Sequence, residues 1–431
     1  MLSENDNRLI TQTGPGTPMG EYLRRFWLPA LTSSELQQAD GPPLRLRLLS
    51  EDLIAFRTTS GRVGLIQNAC PHRGASLFFG RNEEDGLRCV YHGWKFDAEG
   101  ACVDMPSEPA ESNFKNKVRP TAYPTIERGG LVWAYMGPPE LRPELPPYEW
   151  TLVPEGHVLT SRRIQECNYL QAIEGGIDSS HVPFLHGVLD PERRAAPNER
   201  DLYGHLAPRL RAIRTDYGLA YGAQRNGDAD TYYWRLTPFL FPFFTVIPGF
   251  TVTPDQRTED ARDLTYSGHG WVPRDDESCW MVTYSWNAAR PLQNGEGHPA
   301  HFVTLDPRSL RADVNIDNDY GIDRDVQRTT TYTGIANGSI QDAAVQESMG
   351  GVYDRTGEHL GTSDAAIIFL RRLYSEAARQ VAVGQEPFLP RNRHAFRVRS
   401  VSAILGRDIA FEEGLKYMQI APGEAQAIAS A

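Results

Sequence analysis

Asp178, His181 and His186 lie within nine residues of one another, in a stretch from Cys167 to Gly187 that is otherwise small and apolar. Two neutral imidazoles held close together suit a borderline metal ion. With one carboxylate added from elsewhere, they make the two-histidine, one-carboxylate face that binds non-haem Fe(II) and leaves positions open for dioxygen. Alone, D-x2-H-x4-H equally describes ordinary side chains. A second metal signature upstream strengthens it.

That signature is Cys70-Pro-His72 followed, after sixteen residues, by Cys89-Val-Tyr-His92. Each stretch offers one thiolate and one imidazole. A structural zinc site usually groups its cysteines in one knuckle and its histidines in the other. Mixed knuckles instead fit a Rieske 2Fe–2S cluster, in which Cys70 and Cys89 hold one iron and His72 and His92 the other. Imidazoles in place of two thiolates make the cluster less negative and raise its potential. Gly74 and Gly93 follow the ligands and would let backbone N–H groups approach the sulfides. Neither loop has a second cysteine, so no disulfide joins them. Cys102 is expected to be a buried bystander.

The elements around these loops read as short strands: Leu44–Leu48, Leu53–Arg57, a Ser60-Gly61 turn and Val63–Ile66. A short amphipathic helix, Gly20–Trp27, precedes them, and a strand at 130–136 follows. The proline-rich run 138–147 reads as a boundary, giving domains 1–150 and 151–431. Beyond it, strands recur at 210–215, 219–225, 232–237, 264–268 and 280–286. Pro238–Phe250 reads as a buried strand region. A late helix is expected to be capped by Ser363, with Ile367, Leu370, Leu373, Ala377 and Val381 on one side. The fold class is α+β.

The totals exclude several functions. The chain has 431 residues and a formal net charge of -11, which argues against sequence-independent nucleic-acid binding. The polar, acidic start is no secretory signal, and no apolar stretch is long enough to span a membrane. Five sparse cysteines fit a reducing, cytoplasmic setting.

Several carboxylates could complete the iron site: Asp317, Asp319, Asp323, Asp325, Asp342 and Glu347. The run 313–325 reads as a solvated loop. Asp342 has small neighbours, yet Ser339-x-x-Asp342 also fits a helix cap. Arg235, midway in an apolar strand, needs a carboxylate partner. That partner is either internal or the carboxylate of an aromatic acid held by its guanidinium fork.

The order C-x-H, C-x2-H, D-x2-H-x4-H resembles the Rieske non-haem iron oxygenases, and most of all the phthalate 4,5-dioxygenase group of α-subunits. The likeness extends to Thr11–Gly20 and Gln341–Ser348. It implies an N-terminal Rieske β-domain followed by a helix-grip catalytic domain, in which an antiparallel sheet wraps around helices. It implies a cluster on Cys70, His72, Cys89 and His92, an iron on His181, His186 and Asp342, and a carboxylate-binding role for Arg235. Asp178 would bond His181 and, across a subunit boundary, His92, which requires a trimeric ring, possibly stacked as a hexamer. Its alternative role is an N-cap. The resemblance further implies an oxygenase fed from NADH by a separate flavin and 2Fe–2S reductase. The chain itself has no G-x-G-x-x-G after a strand. The expected reaction is cis-dihydroxylation of an aromatic carboxylate such as a phthalate- or phenoxybenzoate-like acid. O- or N-demethylation or aryl ether cleavage of the vanillate or dicamba type is the alternative. His359 and the remaining histidines are read as loop or surface residues without a role.

Overall fold

The computed structural model describes residues 2–190, 202, 205–249, 251–252 and 263–420. These form two units, residues 13–145 with 273–275, and the remainder.

Helix α1 (Glu4–Thr11), which the sequence reading did not anticipate, belongs to the larger unit. Ser3 caps it by accepting the Asp6 N–H, and the Tyr169 hydroxyl donates to the Ile10 carbonyl at 2.7 Å. Helix α2 (Pro18–Leu23) opens the smaller unit. It starts earlier than the expected 20–27 helix because Thr17 and Pro18 set its start, and it ends earlier, at Leu23, because the chain enters a strand by Trp27. Trp27 already pairs with Tyr135 in a sheet.

The rest of the smaller unit is short strands. Strand β1 (Trp27–Thr32) comes first, and β2 (Leu44–Leu48), β3 (Glu51–Arg57) and β4 (Val63–Gln67) form one antiparallel sheet. Strands β5 (Arg81–Glu83), β6 (Gly86–Arg88), β7 (Lys95–Phe96) and β8 (Cys102–Asp104) form a second. Strands β9 (Thr125–Arg128) and β10 (Leu131–Tyr135) join β1 in a third. A core that includes Ile54, Phe56, Ile66, Leu87 and Phe96 also takes in Cys70, Cys89 and Cys102.

The larger unit is organised by a nine-stranded sheet. Its strands are β11 (Val158–Gln165), β12 (Arg209–Thr215), β13 (Gly218–Asn226), β14 (Thr231–Leu240), β15 (Phe244–Ile247), β16 (Thr251–Val252), β17 (Thr265–Pro273), β18 (Cys279–Asn287) and β19 (Val401–Gly406). The order is β11-β18-β17-β15-β14-β13-β12, with β19 against β14. All described pairings are antiparallel except β16 with β19. The apolar run 238–250, expected to be a buried strand region, is the end of β14, a turn and β15; Phe250 lies outside the described residues.

Helices α3 (Tyr169–Ile177), α4 (Val182–Leu185), α5 (Arg324–Thr329), α6 (Gly338–Glu347), α7 (Ala365–Ala382) and α8 (Phe411–Gly414) complete the unit. Helix α7 buries Leu370, Leu373, Tyr374 and Ala377, a helical period. Ser363 does not cap it. A 3-10 turn intervenes, in which the Asp364 carboxylate takes the Gly361 N–H at 2.6 Å. Among the described residues no helix is long and apolar enough to cross a membrane.

Candidate active site

The two cysteine–histidine loops are built alike. Cys70 N–H donates to Ala75 O, and Gly74 N–H donates back to Cys70 O. Cys89 N–H and Gly93 N–H make the same pair of bonds with Trp94 O and Cys89 O. The turns require glycine, because Gly74 and Gly93 sit at φ +77 and +80. Their own N–H groups go to the cysteine carbonyls. The sulfurs lie inside, Cys70 and Cys89 being 2 % and 3 % exposed, while the half-buried imidazoles face outward. His72 Nδ1 and His92 Nδ1 approach to 3.1 Å, and Trp94 stacks on His72. Burial pushes the Cys70 thiol up to about 11, so a bound iron would take the place of its proton. The donor set fits a 2Fe–2S cluster: two buried thiols, and two imidazoles sharing one outer corner. Cys102 is buried beside them, its Sγ 3.5 Å from Asp104 O.

Among the described residues, one group of three metal-ligand atoms falls within 4.8 Å: His181, His186 and Asp342. Asp342 Oδ1 lies 3.6 Å from His181 Nε2 and 3.4 Å from His186 Nε2. Donors on adjacent corners around one metal ion stand about 3 Å apart, so the spacing fits. The other ring nitrogens are held by oxygen. His181 Nδ1 lies 3.5 Å from Asp178 Oδ2. His186 Nδ1 lies 2.7 Å from Gln341 Oε1, and Gln341 Nε2–H donates to Ile335 O at 2.7 Å. The Gln341 oxygen must therefore accept, which puts the His186 proton on Nδ1 and the lone pair on Nε2. Burial alone would lower His186, but the Asp342 carboxylate outweighs it and raises its affinity for a proton.

Local structure explains the convergence. Helix α3 stops at Ile177, and Asp178 follows as its C-cap residue. Its Oδ1 takes the Ser180 N–H at 2.6 Å, which turns the chain into α4 between the two histidines. Asp178 is thus no N-cap of α4, whose N-cap residue is His181. Burial pushes the Asp178 carboxyl up, but His181 and the Ser180 N–H together hold it below the usual range. Asp342 does not cap α6 either. Asn337 does, accepting the Ser339 N–H, which leaves the Asp342 carboxylate free for the histidines. The rival carboxylates are engaged elsewhere: Asp323 caps α5, Asp317 pairs with Arg311, and Glu347 accepts the Tyr320 hydroxyl.

Below the triad opens a cavity of about 510 Å³, lined by Val182, Ile247, Met281 and Ile335 among apolar groups and by Arg235 among polar ones. Arg235 is half-buried and, among the described residues, has no hydrogen-bond or ion-pair partner, so no described carboxylate fills the internal role considered above.

The comparisons with known proteins agree with this geometry. The Rieske [2Fe-2S] domain family matches residues 26–121, and the family described as LigXa C-terminal domain like matches 134–419. The oxygenase subunit of 3-chlorobenzoate-3,4-dioxygenase from Comamonas testosteroni is 40% identical over 88% of this chain and 89% of its own length. The chain belongs to the Rieske non-haem iron oxygenases. The phthalate 4,5-dioxygenase oxygenase subunit of Pseudomonas putida is 37% identical over 96% of this chain and 94% of its own. The 5,5'-dehydrodivanillate O-demethylase oxygenase subunit of a Sphingobium species is 33% identical over 90% and 83%. The crystal structure of dicamba monooxygenase shares the fold at 19% identity, with a TM-score of 0.57 over 84% of this chain and 99% of that one. Rieske oxygenases carry a 2Fe–2S cluster and a mononuclear non-haem iron.

The oxygenase contains functional candidates that motif spacing missed. Gln341 orients His186, although the sequence singled out only its neighbour. His269, His298 and His301 are not idle surface residues. His269 is 7 % exposed on β17, and its ring meets that of His298 at 4.5 Å. His301 sits between Ser161 Oγ and Ser285 Oγ. Burial pushes His269 well down and His298 and His301 to about 4, so all three are neutral.

Asp178→Asn in this oxygenase is expected to keep both iron centres and lower NADH-driven turnover about 10- to 100-fold. Iron content and turnover check it together; full turnover with unchanged iron would remove Asp178 from the electron path.

Proposed function

We propose that this chain is the oxygenase component of a system that adds both atoms of dioxygen to an aromatic carboxylate, producing a cis-dihydrodiol. The observation that carries the reading is the opening of the His181, His186 and Asp342 set into a cavity where Arg235 has no partner among the described residues. The two dioxygenase relatives, named for 3-chlorobenzoate and phthalate, support the same substrate class.

Cys70, His72, Cys89 and His92 would hold the cluster, and His181, His186 and Asp342 the mononuclear iron. Bound there, the iron supplies dioxygen activation and the cluster supplies electrons one at a time. The protein's residues do the rest. Asp178 and Gln341 keep protons on the outer nitrogens of His181 and His186, so that each ring presents its Nε2 lone pair. Arg235 takes the substrate carboxylate, and Val182, Ile247 and Ile335 form the apolar wall that excludes water from the ring. Electrons come from NADH through a separate flavin and 2Fe–2S reductase. In a trimeric ring, or two stacked as a hexamer, Asp178 would also meet the partner's His92 and bridge the two centres. A cytoplasmic location follows from the reductant.

The test supplies purified protein with NADH, O2, a surrogate reductase and a panel of aromatic acids and aryl methyl ethers. Diols from the acids are the expected products. Phenols released from the ethers, with no diol, would transfer the chain to the demethylating branch. Arg235→Gln is expected to weaken carboxylate binding about 10- to 100-fold, with both iron centres retained; equilibrium binding measures it.

A further inference from the structure

The turn that carries Asp178 to His181 begins at a helix end with no cation of its own. Helix α3 closes on Glu174-Gly175-Gly176-Ile177, without a basic residue in its last turn, and its C-cap residue is the carboxylate Asp178. The last carbonyls of a helix form the negative end of its dipole, so an anion is disfavoured there. Arg355 and Arg371 reach this end, but they are paired with the Glu174 carboxylate. The two glycines have no room for a basic side chain. A Cβ at Gly175 would lie 2.1 Å from Gln346 Nε2, and one at Gly176 would lie 2.2 Å from the Trp271 ring. A cation that steadies Asp178 has to come from another element.

Strand β13 supplies it. Tyr221 and Arg225 are four residues apart and share one face of that strand. The Tyr221 hydroxyl donates to Gly176 O at 3.4 Å, and Arg225 takes hold of the turn that follows. Its Nη2 donates to Ser179 O at 2.8 Å, both Nη1 and Nη2 lie within 3.4 Å of Ser179 Oγ, and Nε donates to His205 O at 3.2 Å. Arg225 is 2 % exposed, and all of these acceptors are uncharged. Burying a guanidinium is costly unless a negative charge faces it. The carboxylate that attracts it is Asp178, while Arg235 repels it.

A single peptide unit joins the two charges. The Ser179 carbonyl accepts from Arg225, and the N–H of the same peptide, that of Ser180, donates to Asp178 Oδ1 at 2.6 Å. C=O and N–H of a trans peptide point in opposite directions, so cation and carboxylate grip one plane from its two edges. A guanidinium on the oxygen also polarises the group and strengthens its N–H as a donor. The other carboxylate oxygen, Oδ2, lies 3.5 Å from His181 Nδ1. Were the peptide released, its plane could rotate, and Asp178 would lose the bond that aims Oδ2 at the imidazole. Arg225 is not among the residues that line the cavity.

We propose that Arg225 is a positioning residue for the mononuclear iron: through the Ser179–Ser180 peptide it holds the Asp178 carboxylate against His181. The proposal rests on reading Asp178 as part of the electron path. It makes the orientation of His181, and with it the rate at which electrons reach the iron, depend on a side chain outside both the ligand set and the cavity.

The test uses the full chain with both iron centres and compares Arg225→Gln and Arg225→Lys with Asp178→Asn. Nitric oxide, added to the reduced protein without oxygen, gives the mononuclear iron a paramagnetic resonance whose rhombic splitting follows the orientation of its donors. Arg225→Gln should shift that splitting in the same sense as Asp178→Asn and lower NADH-driven turnover about tenfold, with iron content and the cluster's spectrum unmoved. Arg225→Lys keeps the charge but offers a point donor in place of the fork. It should shift the splitting part of the way and slow turnover about threefold, and it serves if the glutamine variant fails to fold. A wild-type splitting in every folded Arg225 variant, or loss of iron from all of them, overturns the positioning role. A shifted splitting with turnover unchanged, in Asp178→Asn as well, would count against the electron path alone.

Discussion

His186→Ala is expected to remove about one iron per chain and abolish oxygen-dependent turnover, while the cluster's visible absorption stays intact. The imidazole is one of three ligand atoms lying within 4.8 Å of each other. Without it, a facial site keeps two protein donors, too few to hold a divalent ion against water. The Gln341 carboxamide also loses its 2.7 Å partner, so its oxygen must turn to water. Metal analysis should read about two irons per chain in place of about three. An unchanged count would place the mononuclear site somewhere else.

Cys89→Ala should do the opposite, removing the colour and about two irons while leaving the mononuclear ion in place. The thiol is 3 % exposed and faces Cys70 in a core of large apolar side chains. One remaining thiolate cannot bridge that buried end, and imidazoles alone do not retain a 2Fe–2S unit. NADH-driven turnover should vanish because electrons lose their way in. Cys102→Ala is the control. Cys102 shares the core, but its sulfur is turned to the Asp104 carbonyl and it lies outside both ligand loops, so that variant should stay coloured. A colourless Cys102→Ala protein would mean that the cluster ligands are misassigned.

The candidate metal ligands were legible because they sit in local patterns. Cys70 to His92 and Asp178 to His186 each span one loop or turn, and spacing alone limits what they can do. Asp342 was harder. Its competitors in 313–325 are equally acidic, and only their fold-level use as caps and ion pairs removes them. The alternative, Ser339-x-x-Asp342 as a helix cap, falls for a related reason: Ser339 and Asn337 are both good caps, and the structure takes the earlier one. The buried histidines near the cavity had no local signature. Ser267-Gly-His-Gly-Trp271 does alternate, and the pattern marks a strand with larger side chains on one face. What sets His269 and Trp271 beside His298, or in one cavity with Arg235, is register across four strands and a loop, contacts between residues tens of positions apart. Spacing along the chain does not encode that proximity, and a search for metal motifs passes over neutral, buried histidines.

The ring nitrogens turned away from Asp342 are already held, His181 by Asp178 and His186 by Gln341. Both imidazoles therefore present a single tautomer before any cation arrives, and capture of an ion requires no search among ring states. The energetic cost of loading then lies in stripping water from the incoming ion and in displacing any proton that Asp342 helps His186 to hold. Selection among divalent metals at this face is consequently a matter of which ion tolerates three fixed donors and unfilled corners, and little of it can come from rearrangement of the protein.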